Sequence, residues 1–473
     1  MKSFLAAGLL AALCATAGAN GRPAATSTIN FEKGNPQNIV AGMTFGFLSS
    51  SDHGVTWKWM CEAAIGYSGT FDPDYAYTSS GAVFATTFNG LKVMRDGCTF
   101  NATPTGNIFV SAVEADQSNN VYVAAADPSD ASIYKSSNDG MTFPQLSNPG
   151  KPSDEWDTVV PAPSNAMDVY LAGYRFNKQC SGGDKVGMTC TNNNDCTPTG
   201  MGYTCESIKQ FLLFSSTNGG SAWTPMSQTG IAFSNYSVMD VVGVDPTTPT
   251  TLYLHSTIET GQGQDGIYKS VDSGQHWTKI LTTNDSFGLV FLVRPNGDLV
   301  AATQTSGSQV SHDGGTTWIP MVSPPHINCL VNDPATGDLW ACTHNYDSPG
   351  IPGDGFGIMK TSDYATWTGV LRFQDIAGVV SCPADSVQTS QCVNSYQGKP
   401  SVWCCLEIQL GITDTSVDCT GANDCSFTGD SAADAGNIKV DAPKGCCNTG
   451  GGGEGAALLA AGTTALLWRR RRK

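Results

Sequence analysis

Ser50-Ser51-Asp52-His53-Gly54-Val55-Thr56-Trp57 decides the reading of this 473-residue chain, because the string S-x-D-x-G-x-T-W keeps returning. It recurs as Ser136 to Phe143 (SSNDGMTF), Ser216 to Trp223 (STNGGSAW), Ser270 to Trp277 (SVDSGQHW) and Ser311 to Trp318 (SHDGGTTW). Two degenerate copies complete the series. Val93 to Phe100 (VMRDGCTF) keeps the Gly and the closing aromatic, whereas Thr361 to Trp367 (TSDYATW) is one residue short and has lost the Gly. The closing aromatics at 57, 100, 143, 223, 277, 318 and 367 are spaced by 43, 43, 80, 54, 41 and 49 residues. A near-fixed period of this size marks a repeat architecture.

Upstream of each box the chain repeats an order of short apolar runs. It is clearest at Val241 to Val244, Thr251 to His255, Gly266 to Ser270 and His276 to Ile280, which reads as four strands. The second run returns as Val83-Phe84-Ala85, Val121-Tyr122-Val123-Ala124, Val169 to Ala172, Leu299 to Ala302 and Leu339 to Cys342. Runs apolar on both sides suit strands packed between neighbouring blades. The 53 Gly, 24 Pro and low charge content of 14% agree with many strands and turns.

The octapeptide resembles the Asp-box, or BNR, repeat of sialidases, sortilin-type receptors, some xyloglucan hydrolases and a photosystem assembly factor, over about Ile29 to Trp367. The resemblance implies an all-β fold, a β-propeller with each box between the third and fourth strands of a blade. Seven boxes predict seven four-stranded blades; six or eight remain open. The box residues have folding work: the Asp or Asn caps backbone donors in a tight turn, Gly accepts positive φ, and the aromatic covers the hairpin. Asp52, Asn138, Asn218, Asp272, Asp313 and Asp363, with Trp57, Phe143, Trp223, Trp277, Trp318 and Trp367, are therefore read as structural.

Residues 20–377 form the propeller. The long 80-residue step contains an insert, 179–207, whose Cys180, Cys190, Cys196 and Cys205 are expected to pair among themselves. Residues 378–445 make a Cys-rich segment and linker that gives a strand back to the propeller or caps it. Cys329 and Cys342 flank the turn Asp333 to Asp338 at matching distances and are expected to bridge. Cys61 with Cys98 would join neighbouring blades.

Met1-Lys2-Ser3, the apolar run Phe4 to Ala15 and Ala17-Gly18-Ala19 give residues 1–19 the three zones of a signal peptide. At the other end Cys446-Cys447, a Gly run, the apolar stretch Ala456 to Trp468 and Arg469 to Lys473 resemble the MYXO-CTERM sorting signal of myxobacteria. That resemblance implies export, processing within 446–473 and retention at the surface of a Gram-negative cell through a lipid on Cys446 or Cys447; a plain tail anchor or secretion is the alternative. Membrane contact would run only through this tail. Seventeen Cys in an exported chain point to disulfides rather than zinc.

Without residues 1–19 and the last 26, the chain holds 19 basic against 40 acidic groups, a formal charge of −21. Such a field repels phosphate backbones, so nucleic acid is not expected as a partner. A sialidase needs three converging Arg, and only Arg22, Arg95, Arg175, Arg294 and Arg372 lie between leader and tail. Their scatter argues against that chemistry. A different glycosidase needs two facing carboxylates. Asp72 with Asp74, Asp154 with Glu155, and Asp333 with Asp338 are the candidate pairs, and no catalytic residue is assigned among them. No cofactor or metal motif occurs. The expectation is a surface propeller binding an extracellular glycan or protein without turnover, with a secreted glycoside hydrolase on the same scaffold as the alternative.

Overall fold

The computed structural model describes residues 23–425 except 68–71, 128–129, 197–202, 235–236, 258–264, 284–288, 306, 349, 396–400, 414–416, 418 and 420–424. The leader, the linker beyond 425 and the sorting segment with Cys446 and Cys447 lie outside the described residues.

The chain is all-β and closes into a propeller of seven antiparallel blades. Blade 5 is the pattern: Met239–Val244, Leu252–Thr257, Asp265–Ser270 and Thr278–Thr283 follow one another from axis to rim. The innermost strands of the others are Thr26–Phe31, Tyr75–Tyr77, Val110–Ala115, Glu155–Ala162, Leu289–Val293 and Cys329–Asn332. The two degenerate boxes do close third-to-fourth-strand hairpins: Cys98 lies between Gly90–Met94 and Phe100–Ala102, and Tyr364 between Ile358–Thr361 and Thr368–Leu371.

Fourth strands vary in length for a local reason. Thr278–Thr283 runs six residues, but Thr224–Pro225 and Ile319–Pro320 run two, and in blade 3 the strand shrinks to a bridge of Tyr134 with Gln145 beside Pro144. Proline has no amide to donate and interrupts the ladder, which resumes for one more bond at Leu146, Met226 and Met321.

The core is distributed between blades. Second strands such as Val121–Ala125 and Leu299–Thr303 are buried along their whole length. Their side chains alternate between two neighbours, so Tyr122 and Ala124 pack towards blade 4 while Val121 and Val123 pack towards blade 2. Burial on both sides explains the unbroken apolar runs.

The box turn has one geometry. Ser50 Oγ donates to Asp52 Oδ1 (2.8 Å) and accepts from Gly54 N (2.9 Å), while Asp52 accepts from Thr56 N (2.8 Å) and Oγ1 (2.6 Å). Asn138, Asn218, Asp272 and Asp313 hold the same amide four residues on. The fourth and fifth positions are left-handed, at φ 57° for His53 and 81° for Gly54. Only the fifth is always Gly in the full-length copies. In blade 7 the turn stops after one left-handed residue, Tyr364 (φ 60°), and Asp363 takes the amides of Ala365 and Thr366 instead. One residue fewer removes the need for the Gly.

Among the described residues the strands of each blade are consecutive in the chain, so no swapped strand closes the ring there. Closure comes from the C-terminal segment. Ala377 N donates to Trp57 O, Trp59 N to Gly378 O and Val380 N to Trp59 O, laying Val379 parallel along the outer edge of blade 1. Gln388, fully buried, continues this through Cys61 N (2.9 Å) and Trp59 O (3.0 Å). The helix Val402–Leu410 then sets Trp403 against Trp59, ring centroids 5.3 Å apart.

Seven disulfides are formed among the described residues. Cys329 bridges Cys342, its register partner, and the insert pairs internally as Cys180–Cys196 and Cys190–Cys205. The expected link of Cys61 with Cys98 is corrected: Cys61 bonds Cys392 and Cys98 bonds Cys382. Each lies at the rim of its blade, where the returning C-terminal segment meets it. Cys404–Cys419 and Cys405–Cys425 staple the end of that segment.

Candidate functional site

Chain direction divides the molecule into two faces. Each innermost strand starts on one face, here the upper one, which also carries the second-to-third-strand loops and the connections between blades. The lower face carries the box turns and the first-to-second-strand hairpins. The six box residues therefore sit at separate turns on the lower face, each closing its own blade.

Several are stitched to the preceding blade through the aromatic. Trp223, Trp277 and Trp318 donate their Nε1–H to Ser147 O, Ser227 O and Ile280 O at 2.8 to 2.9 Å. Asp333 also belongs to this face: it is buried, with Oδ2 3.0 Å from His53 Nε2 across the seam between blades 7 and 1. Its carboxyl is held below the usual range, burial being outweighed by hydrogen bonds from Thr336, Ala335 N and His53. The pair Asp333 and Asp338 thus closes a turn and offers no cleft.

The other two candidate pairs lie at the upper face, where the channel holds a cavity of about 230 Å³. Asp74, Glu114, Glu155, Asp157 and Asp240 line it, with Thr158, His255, Phe109 and Phe291. Asp74 and Glu155 come from the pairs named in the sequence; neither partner, Asp72 or Asp154, lines the cavity with them. Asp154 is fully buried and turned to Arg175 Nη2 (2.7 Å) and Lys151 N (2.7 Å). Asp157, Glu114, Asp240 and Thr158 were missed.

Around the cavity the groups are held in place. Tyr174 Oη donates to Glu155 Oε2, and Lys209 Nζ lies 4.3 Å from the Tyr174 ring centre. His255 Nε2 is 3.0 Å from Asp265 Oδ2, both buried under the top of blade 5. At the lower end, half-buried Lys33 reaches from blade 1 to the carbonyls of Ala115 (2.5 Å) and Asp116 (3.0 Å) of blade 3. Burial lowers the Lys33 pKa, and the nearby Glu114 and Asp116 oppose that shift.

Aromatic rings rim the upper face. Phe88 stacks on Phe109 (centroids 5.0 Å), Phe176 meets Tyr174 edge-on (5.4 Å) and Phe233 meets Phe211 edge-on (5.3 Å). Phe88, Phe176 and Phe233 are each about half exposed, at 54%, 54% and 43%. Over blade 7, Asp354 accepts from His326 Nδ1 (2.8 Å) and His344 N (2.9 Å), which leaves His326 Nε2 directed elsewhere.

The arginines do not converge. Arg95 pairs with Asp139, Arg175 with Asp154 and Arg372 with Asp375, and Arg294 binds Tyr364 and Gly337 in the lower seam of blades 6 and 7. Cysteine groups close enough to ligate a metal, Cys180 with Cys190 and Cys196, and Cys404 with Glu407 and Cys419, are tied up in disulfides and have no thiolate to give.

No protein-family model matches the chain, and no curated protein matches it. Solved structures do. An ancestral GH74 enzyme is similar at 14% identity and a TM-score of 0.47, covering 70% of this chain and 46% of its own. YCF48 from Cyanidioschyzon merolae is similar at 14% identity and a TM-score of 0.38, with 63% and 84% covered. The extracellular domain of a one component system from B. thetaiotaomicron is similar at 12% identity and 0.44, with 71% and 38% covered. The chain thus spans less than half the length of the GH74 and B. thetaiotaomicron structures.

Proposed function

We propose that this is an exported, surface-associated propeller that binds an extracellular glycan at the upper mouth of its channel without turning it over. One observation carries the reading: a small carboxylate-lined cavity has Phe109 in its wall, and half-exposed Phe88 stacks on that ring. Sugar C–H faces stack on such rings, and carboxylates accept hydroxyl hydrogen bonds. Seven disulfides fit an oxidising, extracellular setting. No described helix is long and apolar enough to cross a membrane. Surface retention through a processed tail is part of the proposal and rests on the resemblance of residues 446–473 to a sorting signal.

The carboxylates at the mouth keep a glycoside hydrolase as the second reading. A glycan array run beside a panel of chromogenic glycosides separates the two. Binding without chromophore release is the expected result. Hydrolysis abolished by Asp240→Asn or Glu155→Gln would replace the first reading by the second.

A further inference from the structure

We infer that the channel cavity is a recognition pocket for a protonated primary amine, and that the glycan bound there carries an amino sugar. Five carboxylates, Asp74, Glu114, Glu155, Asp157 and Asp240, line the cavity, and neither Lys nor Arg is among its lining residues. Of the cations nearby, only Lys33 acts on a cavity carboxylate, Glu114. Arg175 is held by Asp154, Lys209 by Ser237 O, and Lys33 sits at the lower end, where it offsets Glu114. With Glu114 set against Lys33, the other four carboxylates of this concave site focus a negative potential onto whatever enters.

A second observation points to a ligand. Thr158 is 6% exposed, lines the cavity, and its hydroxyl has no hydrogen-bond partner in the protein. A buried polar atom left unmatched is costly and calls for a group that satisfies it. An ammonium donates three hydrogen bonds and can serve Thr158 Oγ1 and two carboxylates together.

The spacing argues against a bare metal ion. Among the described residues no three of the cavity's carboxylate and imidazole ligand atoms come within 4.8 Å of one another, so the carboxylates surround a space instead of forming a chelate. That space, about 230 Å³, is below the roughly 300 to 1,000 Å³ of drug-sized sites. It takes one sugar residue. The Phe rim above it would hold the flanking residues by stacking, which favours an oligosaccharide over a lysine-bearing peptide.

The inference rests on the glycan-binding reading and is tested so that the two fail separately. The purified mature protein is titrated calorimetrically with glucosamine oligomers, their N-acetylated counterparts, neutral β-glucan oligomers and an oligolysine peptide. The expected result is binding of the free-amine oligomer, weakened by added salt, with at least about tenfold loss on acetylation and about tenfold loss in Asp240→Asn or Glu155→Gln. Thr158→Val should weaken binding while leaving the melting temperature unchanged or raised, because it removes an unsatisfied hydroxyl. A merely structural Thr158 would give the opposite pattern. Equal binding of acetylated or neutral oligomers would overturn the amine inference and leave glycan binding standing. Binding of oligolysine alone would overturn the amino-sugar assignment, and no binding of any oligosaccharide would overturn both readings.

Discussion

The box residues act by hydrogen bonding, and their titration makes that measurable. Asp313 is held down to about 2 by the Thr317 amide, then the Thr317 and Ser311 hydroxyls; Asp363 is held at about 2 by the amides of Thr366 and Ala365. Asp272 is lower still, chiefly through the His276 side chain. Each folded value is below the unfolded one of about 3.9, so the contribution is complete above that pH and disappears as pH falls through the folded value. Their contribution to the thermal unfolding midpoint should be flat from about pH 5 to 8 and fall between about pH 4 and 2. Asp313→Asn with Asp363→Asn should flatten part of that fall, and an unchanged profile would show that these carboxylates do not carry it. The aromatic can be tested separately: Trp277→Phe loses the bond to Ser227 O and should cost about 1 kcal/mol in urea unfolding. Trp277→Ala should cost about 3 to 5 kcal/mol, since the ring is buried between blades 4 and 5.

Among elements, the blades were legible because each box marks a turn by chemistry that is local in sequence. Strand lengths were less so; they follow the chance position of Pro144, Pro225 and Pro320 in the outer strands. The site was half legible. Asp74 and Glu155 stood out as parts of acidic pairs, but Asp157, Thr158 and Asp240 lie on strands with irregular register at Trp156/Thr158 and Val241/Gly243. A bulge shifts which side chains face the channel, and alternation cannot be counted through it. The pairing of Cys61 and Cys98 was illegible because their partners lie 331 and 284 residues away. That clasp gives a prediction: Cys61→Ala with Cys392→Ala should lower stability by up to about 5 kcal/mol, the upper end for long closed loops. The readout is urea unfolding. A loss below about 1 kcal/mol would mean that the strand pairing of Val379 and the packing of Trp403 close the ring unaided.

At the scale of the molecule, the proposed function puts folding and recognition on opposite faces: repeated boxes close the lower one, and unrepeated side chains build the upper one. The proposal of surface retention is tested by intact-mass analysis of the cell-associated protein, which should lack residues 456–473; a retained Arg469 to Lys473 would favour a plain membrane anchor. The claim that matters most is that ligand engages the upper mouth of the channel. Amide hydrogen exchange on the purified protein, with and without saturating glucosamine oligomer, tests it directly. Protection should rise at Glu155–Ala162 and Met239–Val244 and around Phe88, Phe176 and Phe233, while the box turns stay unchanged. Protection confined to the box turns and outer strands, with none at the inner strands, would contradict the account.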